Sequence, residues 1–68
     1  MIVKTMEDYI EVVQKMHESI NGCKLDDWVL EENDHILQEQ FRQYQEEGYT
    51  VNYDEVRNLI SYIDEEYS

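Results

Sequence analysis

Proline is absent from this chain of 68 residues, and its two glycines, Gly22 and Gly48, stand where apolar periodicity breaks off. Nothing between those breaks interrupts a helix. The glycines divide the chain into three segments of similar length, with no internal repeat and no linker.

The first segment opens at Thr5 with Asp8 three residues later, an approximate capping box in which Asp replaces the usual Glu or Gln. Met6, Tyr9, Ile10, Val13, Met16 and Ile20 follow the rhythm of a buried helical stripe, and Asn21-Gly22 ends it. The second segment begins less clearly. Leu25-Asp26-Asp27-Trp28-Val29-Leu30 reads as an irregular stretch or an opening helical turn, and Asn33 or Asp34 then caps a helix that turns Ile36, Leu37, Phe41 and Tyr44 inward. In the third, Asn52 is the cap, Glu55 sits at the third helical position, and Val51 can staple onto Val56. Its inner stripe is Val56, Leu59, Ile60, Ile63 and Tyr67.

These patterns predict helices near 6–21, 34–47 and 53–66, and hence a single all-α domain, a small three-helix bundle with Trp28 plugging one end of the core. The fallback is an α+β fold with a short hairpin near 25–30 and 49–51, where β-branched and aromatic residues gather. A chain this short buries only about 60% of its unfolded surface. Its lone Cys23 cannot form an internal disulfide, so helix packing or a partner has to stabilise it. The single cysteine, the absence of a membrane-length apolar run and the absence of a signal-peptide block at the N-terminus place it in the cytoplasm.

Charge then limits what such a domain can bind. Seventeen acids against five bases leave a formal net charge of −12. Binding nucleic acid directly through a basic patch is excluded, and docking on anionic membranes is disfavoured. A hydrophobic content of 41% with eight aromatics argues for a folded core over disorder. Small domains usually carry a net charge of about 2–8 in magnitude. The excess is imposed on a chain with little stability to lose to self-repulsion. Spread over a bundle as long as a 15-residue helix, about 22 Å, twelve net charges give roughly one per 2 Å, close to the one per about 1.7 Å of duplex DNA. Solubility alone would also produce an acidic surface, but Asp26, Asp27, Glu31, Glu32 and Asp34 are five acids in nine residues with no base among them.

The catalytic inventory is poor. Cys23 with His17 or His35 could form a thiolate pair, yet Cys23 follows a predicted helix C-terminus, where the dipole disfavours a thiolate. Paired carboxylates are inevitable among so many acids, and a chain of this size seldom encloses a cleft to separate their roles. Glu32-Asn33-Asp34-His35 matches one Glu-x-x-His step of a di-metal bundle, but His17 has Gln14 where a second step needs Glu. No cofactor, catalytic residue or dedicated metal site is expected, and His35 is expected to flank the core. Tyr49, Tyr53 and Tyr62 sit at helix ends or flanks beside acids, where they serve either partial burial or binding.

In its short length, its acidic runs Asp26-Asp27, Glu31-Glu32-Asn33-Asp34, Glu46-Glu47 and Asp64-Glu65-Glu66, and its interleaved tyrosines, the chain resembles the small acidic inhibitors encoded by phages and other mobile elements. That group includes nucleic-acid mimics, anti-restriction proteins and anti-CRISPR proteins. It shares no common fold, so the resemblance implies an activity class and no residue roles. It implies an inhibitor that covers the basic nucleic-acid-binding surface of a CRISPR effector, restriction enzyme, nuclease or RNA polymerase. The contact residues would be Asp26, Asp27, Glu31, Glu32, Asp34, Glu39, Glu46 and Glu47, with Tyr49 and Tyr53 nearby. A non-catalytic helical adaptor, binding through an apolar patch around Trp28, Val29 and Leu30, stands beside it as the alternative. A small enzyme or metal carrier would require an enclosed pocket or a bound metal.

Overall fold

The computed structural model describes residues 2–67, with side chains described through Glu66. Helix α1, Met6–Asn21, begins because Thr5 stays extended and its hydroxyl accepts the Asp8 N–H at 3.1 Å. Gly22 ends it at φ 79°, a left-handed conformation that strains any side chain, and its N–H donates to the Glu18 carbonyl. Helix α2 is Asp27–Glu32, α3 is Asp34–Glu46 and α4 is Tyr53–Tyr67. The fold is therefore all-α, with four helices where three were expected, and no sheet forms among the described residues.

The added helix α2 follows from a four-residue stripe. Leu25, Val29 and Asn33 all point inward, and the Asn33 side-chain amide donates to the Val29 carbonyl at 2.8 Å. Asn33 ends α2 and begins α3, so the two helices meet at one buried joint. Trp28 lies about 100° round from that stripe. It is 52% exposed and does not plug the core.

The α3–α4 joint uses unusual backbone. Gly48 and Tyr49 both have positive φ, 94° and 65°, and the second is a strained conformation for an aromatic residue. The strain is held by two hydrogen bonds: the Tyr49 N–H donates to the Tyr44 carbonyl at 2.6 Å, and the Tyr49 carbonyl accepts the Val3 N–H at 2.8 Å. Ile2 and Thr50 form an isolated antiparallel bridge beside it. The fallback hairpin is thus corrected: from Asp27 onward the first stretch forms α2, and residue 50 pairs with Ile2. Asn52 then caps α4 as expected, its Oδ1 accepting the Asp54 N–H at 2.9 Å. Glu55 reaches across the joint, where its carboxylate accepts the Tyr44 hydroxyl at 3.0 Å.

Helix α1 is the central element, packing against α3 on one side and α4 on the other. Tyr9, Val13, Leu37, Tyr44, Val56, Ile60 and Ile63 are fully buried, and the Tyr9 ring lies 5.6 Å from Tyr44 and 6.1 Å from Phe41 by centroid. Burial, and secondarily the charge of Glu55, pushes the Tyr9 hydroxyl pKa well above the usual phenol range. Burial also raises that of Tyr44, reinforced by its hydrogen bond to Glu55.

Three placements depart from expectation. Ile20 lies within about 20° of Val13 round the helix but is 48% exposed, and at that end of α1 His17 and Asn21 make polar contacts to Asp64 of α4. His35 is exposed on α3 and does not flank the core. Val12, absent from the expected stripe, is buried. Tyr67 was expected on the inner stripe of α4, and its side chain lies outside the described residues.

The Tyr9 hydroxyl is buried with no hydrogen-bond partner. Such a group loses its hydration without compensation, at about 1–3 kcal/mol. Tyr9→Phe keeps the ring contacts and removes the orphan, so it should raise stability by about 1 kcal/mol in urea denaturation. A loss of stability would show that the hydroxyl is satisfied in solution.

Candidate protein-interaction surface

Two side chains of α1 hold the segment between α1 and α2. Gln14 pairs with Leu25 as one strand pairs with another: its Nε2 donates to the Leu25 carbonyl at 3.0 Å, and its Oε1 accepts the Leu25 N–H at 2.7 Å. One turn on, the buried His17 directs Nδ1 at the Cys23 carbonyl and Nε2 at Asp64 Oδ1, 3.1 Å away. Asn21 donates to the other Asp64 oxygen at 2.9 Å. Helix α2 is thereby fixed against the bundle with its acidic side outward.

That side carries the strongest candidate surface. Asp26 precedes α2, Asp27, Glu31 and Glu32 lie on it, and Asp34 opens α3; all five are exposed. Trp28 presents about half its surface among them. From Leu25 to Phe41 the chain has six acids and no Lys or Arg. Glu31 and Asp34 flank a shallow cleft floored by Ile10, Leu30 and Leu37. Asp34 is also steadied by Gln38, whose side-chain amide donates to it at 2.7 Å.

The other expected contact residues lie elsewhere. Glu39 and Glu46 are seven residues apart and share one exposed stripe of α3, about 140° and 120° round from Asp34. Glu39 borders a separate groove with Met6, Phe41 and Arg42. Glu47 ends α3, Tyr49 is half-buried in the strained joint, and Tyr53 opens α4 on the far side of α1. The ten residues therefore form a compact acidic face at 26–34 and outlying positions around the molecule. Val29 is buried and Leu30 half-buried, so of the trio Trp28, Val29 and Leu30 only the indole is broadly presented.

Sequence reasoning overlooked Gln14 and His17 as the residues that position this face. The four-residue spacing of Tyr9, Val13 and His17 was the available signal for His17. Cys23 is exposed, and among the described residues no group of three or more His, Cys, Asp and Glu is placed to hold a metal ion. No helix there is long and apolar enough to cross a membrane. Compared with protein families, curated proteins and solved structures, the chain matches none.

Proposed function

We propose that this protein is a non-catalytic inhibitor acting in the cytoplasm of a host cell, where it occupies the basic nucleic-acid-binding surface of a target such as a CRISPR effector, restriction enzyme, nuclease or RNA polymerase. The observation that carries the reading is the half-exposed Trp28 set among Asp26, Asp27, Glu31, Glu32 and Asp34, with no cation in that stretch. Carboxylates accept bidentate hydrogen bonds from arginine, and an indole face attracts a guanidinium. A surface that combines the two suits a groove lined with arginine and lysine. The net charge of −12 would steer the encounter and make association fast at low salt.

A specific interface covers about 800 Å² on each partner. That is roughly a sixth of the 4668 Å² this molecule exposes, so one face of the helical domain suffices. Glu39 and Glu46 would then lie toward the rim of the contact, where charges tune rate more than affinity.

The reading is tested by immobilising the protein, passing host lysate over it, and washing at low and then high salt. A nucleic-acid-handling protein that is retained at low salt, and is displaced by added DNA or RNA, is the expected result. The variant D26N/D27N/E31Q/E32Q should weaken that capture by on the order of 100-fold, since each close charge pair contributes about a kcal/mol or more. Unchanged capture by the neutralised variant would rule the acidic face out.

A further inference from the structure

A second surface that the acidic face does not use lies along α1. A cleft of about 450 Å³ is walled by Val12 and Met16 of α1 on one side and by Ile2 of the opening segment and Tyr53 at the start of α4 on the other, with Asp8, Glu11 and Lys15 along its α1 edge. On α1, Val12 lies about 160° round from Ile10, which floors the acidic cleft, so the two surfaces occupy opposite flanks of the same helix. Two large apolar side chains stand open at its mouth. Ile2 is 65% exposed and Tyr53 47%, although both belong to backbone that the fold holds in place. Ile2 is fixed by its bridge to Thr50 and by the neighbouring Val3–Tyr49 hydrogen bond, and Tyr53 is set by the cap at Asn52.

We infer that this cleft is a docking groove for a cationic amphipathic helix of a partner protein, which inserts apolar side chains between Ile2 and Tyr53 and directs lysine or arginine at Asp8. An apolar cleft along one flank of a helix, with an aromatic and an aliphatic side chain as its far wall, accepts an amphipathic helix through anchors three and four residues apart. Charge selects the occupant. Lys15, the one base at the edge, is already engaged by Glu11 at 3.1 Å, which leaves Asp8 to set a net negative rim. A second copy of this chain would set acidic rim against acidic rim and bring together two molecules of net charge −12. An anionic lipid surface is repelled for the same reason.

The probe is a synthetic leucine–lysine amphipathic peptide of about four helical turns, with a leucine–glutamate peptide of the same pattern as control. Binding is read by amide chemical-shift changes and by titration at low and high salt. The lysine peptide should shift Ile2, Val12, Met16 and Tyr53, and the glutamate peptide should not bind. The variant I2S/Y53S removes only exposed side chains, so it should melt like the parent and bind the lysine peptide about tenfold or more weakly. Shifts concentrated at Trp28, with full affinity in I2S/Y53S, would overturn the groove and leave plain charge attraction. Concentration-dependent shifts of the groove without peptide would overturn it in favour of a second copy. The neutralised variant D26N/D27N/E31Q/E32Q should still bind the peptide in the groove, so failure of either surface can be told from failure of the other.

Discussion

His17→Ala should lower the stability of this protein by about 2–3 kcal/mol and its melting temperature by on the order of 10–20 °C. The ring is buried, and it joins three parts of the chain: the last turn of α1, the carbonyl of Cys23 and the Asp64 carboxylate of α4. Truncation removes its packing and leaves the Cys23 carbonyl without that contact. The segment that carries α2 then depends on Gln14 alone. In a domain whose total stability is about 5–15 kcal/mol at most, such a loss is a large fraction. Asn21→Ala is the comparison, because its bond to Asp64 is exposed and should be worth less than about 1 kcal/mol. Thermal denaturation followed by circular dichroism decides it. If His17→Ala melted within about 2 °C of the parent, the apolar core alone would be holding α2 in place.

Alkaline pH should produce the second large effect. The hydroxyls of Tyr9 and Tyr44 are held protonated in the fold, chiefly by burial and then by Glu55. In the unfolded chain they titrate near the ordinary phenol value of about 10. Above that pH the unfolded state loses protons that the folded state keeps, so it binds fewer protons and stability falls as pH rises. The stabilisation is whole below about pH 10 and disappears progressively as pH climbs toward the raised folded values. At pH 11 the two tyrosines together should have forfeited on the order of 1–2 kcal/mol. The double variant Y9F/Y44F cannot release those protons. Its melting temperature should change much less between pH 9 and about 11 than the parent's. Equal losses in the two proteins would assign the alkaline sensitivity to other groups and to charge repulsion.

Both effects arise from polar groups whose surroundings the sequence could not display. His17 and Tyr9 belong to the same four-residue stripe of α1, yet one is fully engaged and the other orphaned. The difference depends on what α3, α4 and the α1–α2 segment place beside each, and those neighbours come from distant parts of the chain. Trp28 makes the same point at the surface. Its size and apolar character suggested the core, but Leu25, Val29 and Asn33 took the inward stripe of a six-residue helix and turned the indole outward. That rotation places an aromatic within the acidic face and so supports the proposed inhibitor reading beside the charge and the interleaved tyrosines.

By itself the sequence determined what depends on near neighbours. Helical periodicity, the Thr5 and Asn52 caps and the stop at Gly22 are each decided within a turn or two, and they located three helices to within a residue at each end. It also set the net charge of −12 and the stretch of six acids without a Lys or Arg. Only the tertiary structure decided which faces meet. It made 27–32 a helix joined to α3 at Asn33, paired residue 2 with residue 50, and left the expected contact residues as one acidic face at 26–34 with the others scattered around the molecule. Helical periodicity shows that a stripe must be covered but not what covers it, because that choice is made by contacts between residues far apart in the chain.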